Sequence, residues 1–402
     1  MFGWEFPPHN SGGLGVACLG LTRAMVGEGA EIIFVLPSFA DVSTDYMKVV
    51  LAKDRIASKV HFRKFPSLLY PYITEDAYAQ FHEFVNSQVY GNNLQEEVLR
   101  YASYAKSIAQ DESFDVIHAH DWLTYLAGVE AKRATGKPLI VHVHSTEYDR
   151  TGGTGFNQFV YDIEKFGMEK ADKIIAISRY TKNIITEYYG IDPNKIIIVH
   201  NGIERSESRT EVSPENTLRK LKDAGNSIVL FIGRLTIQKG PDYFLTMAKR
   251  VLEYMPDTIF VVAGSGDMER GLMMQAAQLG ISRNVFFLGF LRGSKREEVY
   301  HMADLFIMPS VSEPFGLTAL ESMVRGTPII VSKQSGVSEI IEHALKVDFW
   351  DTEEMADKTI AVLQHKSLKE QLSHAGQKEA NGHDWTKAAK KSLALFRELA
   401  CL

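Results

Sequence analysis

Short runs of consecutive apolar residues recur along the chain, and most are followed by an amphipathic stretch. In the first half the runs are "EIIFVLP", "DVIHAH", "PLIVHVH", "KIIAIS" and "KIIIVH", with helical patterns such as "LQEEVLRYASYAKSIAQ" and "SRYTKNIITEYYG" among them. Runs that are continuous rather than alternating belong to parallel strands buried on both faces. Strand and helix in alternation then imply a doubly wound α/β fold. Polarity rises over Asn201 to Asn226, and the alternation restarts with "SIVLFIGR", "TIFVVAGSG", "NVFFLGF", "DLFIMPS" and "PIIVSK". The chain therefore reads as two Rossmann-like halves with a linker near residues 204–224. The tail "DWTKAAKKSLALFRELA" is one more amphipathic helix. A length of 402 residues suits two or three domains.

Bulk composition narrows the function classes. Hydrophobic residues make up 45% and charged residues 23%, ordinary values for a globular protein with a sizeable core. A formal net charge of −6 argues against nucleic acid as the main partner, because phosphate binding leaves a basic footprint. The two cysteines, Cys18 and Cys401, form neither a disulfide framework nor a zinc module and fit a reducing cytoplasm. No run of about 18 apolar residues appears, so no membrane span is expected. The N-terminus lacks a signal-peptide pattern, and "MFGWEFPP" reads as the end of a strand.

In open α/β sheets ligands bind beyond the carboxyl ends of the strands, and the informative residues fall there. "VLFIGRLTIQKGPDYF" is a strand, a loop holding Gly233, Arg234 and Lys239, and a helix opened by Gly240-Pro241. Pro suits the first helical turn, and a helix N-terminus flanked by Arg and Lys suits an anion. A solvated basic loop is the competing reading. "SGGLG" follows the first strand, where Gly12 and Gly13 let backbone N–H groups approach a phosphate. "AGSGDMERG" matches the dinucleotide fingerprint only in part, since Glu269 replaces its third glycine, so no NAD site is expected.

"SEPFGLTALE" carries two carboxylates, Glu313 in the turn after a strand and Glu321 inside the next helix. Gly316 and Leu317 offer backbone amides at that helix start. Glu321 lies roughly 7–8 Å further along the axis. A carboxylate there accepts hydrogen bonds from a vicinal diol, such as that of a ribose. Glu313 could hold a second hydroxylated ring, so the segment is shaped for sugar, diphosphate and sugar. A Glu that merely compensates a helix dipole explains neither position. Two His-x-His pairs, His118/His120 in "HAHDW" and His142/His144 in "HVHS", have a spacing that could assemble a metal site from adjacent strands. No matching cluster of later ligands accompanies them, so no metal is expected. His144 reads as a substrate contact, and His118 and His142 as satisfied core histidines.

Together "GRLTIQKG", "SEPFGLTALES", "HAHDW" and "HNGI" resemble the retaining GT-B glycosyltransferases, near glycogen and starch synthases (family 5) and family 4. The matches span essentially the whole chain. The resemblance implies two Rossmann-like domains facing a central cleft: 1–204 for the acceptor, 205–384 for the nucleotide sugar, and a helix over 385–402 crossing back to the N-terminal domain. It implies that Arg234 and Lys239 bind the donor diphosphate, that Glu321 holds the ribose and that Glu313 holds the transferred sugar. His144 and Asp121 would face the sugar from the opposite domain. Asn201 and Glu5 would line the cleft floor, and Gly12 and Gly13 would close over the phosphates. The activity implied is metal-independent transfer of a hexose, glucose, from UDP- or ADP-glucose to a glycan such as an α-glucan, with no cofactor beyond the donor itself.

Two positions depart from bacterial glycogen synthases. Asn10 stands where they carry a Lys, and Val16 where they carry an acidic residue. A family 4 enzyme with a polysaccharide, lipid or small-molecule acceptor therefore stays open. So does a GT-B scaffold that binds glycan without turnover, although the intact Arg234, Lys239, Glu313 and Glu321 set argues against it. An epimerase or a phosphorylase of the same architecture is a further possibility, but no local signature for a pyridoxal phosphate lysine is present.

Overall fold

The computed structural model describes residues 1–7, 12–37, 44–51, 94–153, 155–204, 213 and 216–400. Asn10, Ser11, Cys401 and most of the expected linker (205–212 and 214–215) lie outside the described residues. Two compact units emerge. One comprises Met1–Glu147, Gly155–Gly202 and Trp385–Leu402; the other comprises Tyr148–Thr154 and Ile203–Asp384.

The first unit is built on parallel strands. β1 (Ile33–Leu36) pairs with β2 (Lys48–Leu51). β3 (Ile117–His120), β4 (Leu139–Val143), β5 (Lys173–Ala176) and β6 (Ile196–Ile198) form a ladder in that order. Phe2 bridges Val35 on one side and Ala119 on the other, both in parallel, so the "MFGWEF" segment joins the two groups. Around the sheet lie α1 (Gly13–Gly27), α2 (Leu94–Asp111), α3 (Trp122–Thr135), α5 (Gln158–Lys170) and α6 (Arg179–Tyr189), while the short α4 (Glu147–Arg150) falls almost wholly in the second unit. Side-chain caps start the last two: Asn157 accepts from Val160 N, and Ser178 from Thr181 N.

The second unit holds α7 (Thr217–Asp223), β7 (Ser227–Ile232), α8 (Pro241–Tyr254), β8 (Thr258–Ala263), α9 (Glu269–Gln278) and β9 (Val285–Gly289). It continues with α10 (Gly293–Met302), β10 (Leu305–Met308), α11 (Leu317–Val324), β11 (Ile329–Ser332), β12 (Leu345–Val347), α12 (Thr352–Gln364) and α13 (Lys366–Ala380). Its six parallel strands run in the order β12-β11-β10-β7-β8-β9. Strand order reverses between β7 and β10, which is where a doubly wound sheet places its ligand crevice. Val229, Phe231, Phe244, Phe260, Ile307 and Ile330 lie in its buried core.

The final helix α14 (Trp385–Ala400) belongs to the first unit and packs on α1, as the resemblance implies. Gly20 is what admits it: a Cβ there would overlap the indole of Trp385. The linker expectation needs correction, because residues 217–223 are helical. Asn216 caps that helix by accepting from Leu218 N and Arg219 N, and Leu218 is buried. Over 217–223 the polar sequence forms a short solvated helix. No helix among the described residues is long and apolar enough to cross a membrane.

Candidate active site

In the second unit, the loops after β7 and β10 meet beyond the reversal of strand order. The β7 loop passes Gly233 and Arg234, makes a tight turn over Ile237–Lys239, and enters α8 through Gly240. Gly240 has φ +62, and a Cβ on it would overlap the carbonyl oxygen of Pro309 just after β10. Both the left-handed backbone and the close approach require glycine. Gln238, also buried, ties the loops further: its carbonyl accepts from Val311 N at 2.9 Å and its side chain accepts from Arg234 Nη2 at 2.9 Å.

This closeness puts the expected phosphate lysine beside the expected sugar carboxylate. Lys239 Nζ lies 2.6 Å from Glu313 Oε2, which also accepts from Ser310 Oγ at 3.2 Å. Glu313 is buried, and its backbone N–H donates to Gln334 O at 3.0 Å. Gly316 follows at φ +107 as the N-terminal boundary of α11, and Leu317 is the first residue of that helix. Packing does not demand glycine at Gly233, where a Cβ would meet ordinary contacts from 3.8 Å outward.

Glu321, inside α11 and buried, is held from α10. Tyr300 Oη donates to its Oε2 at 2.8 Å, and Arg296 Nη1 lies 3.4 Å from its Oε1. Neither partner had a sequence signal, because both lie far from Glu321 along the chain. Asp149 was missed for the same reason. It comes from the first half of the sequence, packs within the second unit, and accepts from Ser312 Oγ at 2.6 Å.

In the first unit, Asp121 is the one described non-glycine residue with positive φ, at 59°. Such strain gathers at functional positions. The residue is buried at the end of β3, where its Oδ1 accepts from His144 N at 2.7 Å and Ser145 N at 3.3 Å. The β3 and β4 ends are thus fastened together through the two expected sugar contacts. Glu5 is buried and accepts from Gly15 N at 2.8 Å, inside the first turn of α1 that Gly12 and Gly13 open. Asn201 is buried two residues before the long segment of the second unit, which starts at Ile203.

The histidines form a more unusual group than their spacing suggested. His120 sits in register with His142 on the neighbouring strand, and the four buried rings stack. His118 Nε2 and His142 Nδ1 are 3.2 Å apart; His120 Nδ1 and His144 Nε2 are 3.0 Å apart. The remaining nitrogen of each ring is buried without a hydrogen bond among the described residues. The reading of His118 and His142 as satisfied is therefore half right: each has one partner and one orphan nitrogen. Burial and the neighbouring rings push His118, His120 and His142 well below the usual imidazole range, and burial takes His144 to about 3. Two triads, Cys18 with His120 and His144, and His118 with His120 and His142, bring ligand atoms within 4.8 Å of one another, so these are the described residues that could hold a metal.

Two parallel-sheet Rossmann-like units, the second with paired cation and carboxylate at its strand-order reversal, define the GT-B class of nucleotide-sugar transferases. The family model for Glycosyltransferase Family 4 matches residues 11–207, and that for Glycosyl transferases group 1 matches residues 213–379. The chain belongs to the family 4, or group 1, glycosyltransferases, whose donor is a nucleotide sugar. It is 29% identical to an uncharacterised glycosyltransferase of Methanocaldococcus jannaschii, over 99% of this chain and 97% of that one. It is 27% identical to a glycogen synthase of Mycobacterium tuberculosis, over 85% of this chain and 79% of that one. The Anabaena protein HepE, solved in complex with UDP-glucose, superposes with a TM-score of 0.69 at 17% identity, covering 98% of both chains.

Proposed function

We propose that the chain transfers glucose, with retention, from UDP- or ADP-glucose to a glycan acceptor, an α-glucan first among them. The pairing of Lys239 with Glu313 at the strand-order reversal carries this reading. It sets a cation for a diphosphate next to an acceptor for sugar hydroxyls. Glu321 lies further along α11 for the ribose. Relatives support the choice of glucose: one is a glycogen synthase, and HepE was solved with UDP-glucose.

Breakage of the bond between the anomeric carbon and the diphosphate leaves negative charge on the leaving oxygen. Preorganised donors aimed at such charge are usually the largest catalytic term. Arg234, Lys239 and the backbone amides at Gly316 and Leu317 supply them in this proposal, with Gly233 leaving room for the phosphates. The acceptor hydroxyl attacks on the face the diphosphate leaves, the new glycosidic bond forms there, and the departing diphosphate takes the proton. Neither carboxylate acts as a covalent nucleophile, unlike the pair in retaining glycosidases. In the first unit Asp121 and His144 are assigned to the sugar, Glu5 and Asn201 to the surrounding floor, and Gly12 and Gly13 to the phosphates.

A second reading keeps the transferase and changes the acceptor. It is favoured by Val16, a half-buried apolar residue in α1 where glycogen synthases carry an acid. Incubation with radiolabelled UDP-glucose and ADP-glucose separates the two. Label in glycogen or malto-oligosaccharides supports the glucan reading. Donor turnover that leaves both unlabelled refutes it, and no turnover of any nucleotide sugar refutes the reading of the site.

A further inference from the structure

We propose that Arg296 and Tyr300 are positioning residues that aim the Glu321 carboxylate at the ribose diol, making the chain selective for ribonucleotide over deoxyribonucleotide donors. The inference rests on the assignment of Glu321 to the ribose made above. Arg296 and Tyr300 stand four residues apart on α10, so their side chains share one helix face. Each takes a different oxygen of Glu321: Tyr300 Oη donates to Oε2 at 2.8 Å, and Arg296 approaches Oε1 at 3.4 Å.

Counting acceptor sites shows what this leaves. An ionised carboxylate has about four lone-pair positions. Tyr300 occupies one on Oε2, and Arg296 faces Oε1 as an ion pair, so acceptor positions remain on both oxygens. Two acceptor positions on adjacent oxygens suit the two hydroxyls of a vicinal diol. Without the holders the carboxylate could rotate about its last bond and present those positions in many directions.

The holders are themselves fixed. Tyr300 is fully buried, its carbonyl accepts from Thr327 Oγ1 at 3.0 Å, and the Arg325 guanidinium lies 5.1 Å over its ring. Arg325 also donates to Glu297 Oε2 and to the Glu321 carbonyl, both at 2.5 Å. Burial first, and then the Glu321 charge, push the Tyr300 hydroxyl well above the usual phenol range, so it remains a donor. A plain tie between two helices would not need this arrangement. Burying charge is costly unless it is fully paired, and an apolar contact would serve a tie as well. Arg296 is not fully paired: its Nε is buried without a hydrogen bond among the described residues, a donor to spare for the oxygen of a hydroxyl that itself donates to Glu321.

The test compares calorimetric affinities for UDP and ADP with those for their 2′,3′-dideoxy counterparts. Wild-type protein should prefer the ribonucleotide by roughly 10- to 100-fold, the value of hydrogen bonds to a charged group. Tyr300→Phe and Arg296→Gln should each weaken the ribonucleotide roughly 5- to 20-fold and leave the dideoxy affinity in place, so the preference collapses. Arg296→Lys should restore part of it. The Arg296 side chain is 33% exposed, so its variants keep the test open if Tyr300→Phe does not fold. Equal weakening of both probes, or an unchanged preference, overturns the proposal. A wild-type protein with no ribose preference overturns the assignment of Glu321 as well, which marks that failure apart from the first.

Discussion

Lowering the pH should unfold the first unit well before the carboxylates of an ordinary domain titrate, because of the four stacked histidines. Each has a native pKa below the roughly 6.5 of an unfolded histidine. Such a residue takes its proton only on unfolding. Its effect on stability is therefore absent well above pH 6.5, begins as the pH falls through that value, and grows until the native pKa is reached, about 3 for His144. Below pH 6.5 one such group costs about 1.4 kcal/mol per pH unit. Going from about pH 7.5 to about pH 5.5, four of them remove about 5 kcal/mol, comparable with the whole stability of many domains. Calorimetric unfolding near pH 5.5, repeated in buffers of different ionisation enthalpy, counts the protons taken up. About four should accompany the transition of the first unit, and about two in the double variant His118→Val, His142→Val. Uptake of one proton or fewer in the wild type would show that the rings are not held neutral and would refute the reasoning.

Prolonged treatment with a chelator should leave transferase activity intact, since the charge on the leaving group is assigned to Arg234, Lys239 and backbone amides; a loss restored by zinc would shift attention to Cys18 and the histidines. Arg234→Ala and Lys239→Ala should mainly lower kcat, while Glu321→Ala should mainly weaken donor binding, by roughly 10- to 150-fold. Equal loss of kcat with unchanged donor affinity in all three would remove that division. Gly240→Ala should destabilise the second unit by about 1–3 kcal/mol, from the left-handed backbone and the overlap with Pro309, measured as a shift in its denaturation midpoint.

Continuous apolar runs, each alternating with an amphipathic stretch, were enough to read the architecture, since buried parallel strands need no partner-specific signal. Each of the ten quoted runs contains a strand. β2 and β12 escaped notice because both are short and only partly buried, so neither forms a continuous apolar block. The carboxylates Glu313 and Glu321 were legible because the turn and helix that present them are local. Their holders were not. Tyr300 and Arg296 act through tertiary packing, and nothing in "SKREEVYHM" announces a hydrogen bond to a residue on another helix. The histidines fall between these cases: spacing showed that His118/His120 and His142/His144 lie on strand ends, but only the β3–β4 register stacks the four rings and orphans four nitrogens.

The Lys239–Glu313 pair looks at first like an obstacle, since a lysine already neutralised by a carboxylate should be a poor phosphate ligand. Valence removes the difficulty. An ammonium group has three donors and Glu313 engages one, so two remain for phosphate oxygens. On the other side, Lys239 and Ser310 both bond to Glu313 Oε2, and Oε1 takes no hydrogen bond among the described residues. The carboxylate therefore keeps a whole oxygen for sugar hydroxyls without releasing its lysine. In the proposed reading diphosphate and sugar are bound together, each through the unused valence of one partner, and each partner holds the other in place. Such residues act as a unit, so the effects of Lys239 and Glu313 substitutions should not add. Either change alone costs most of what both cost, because a lone buried Glu313 loses its orientation and a lone Lys239 loses its anchor.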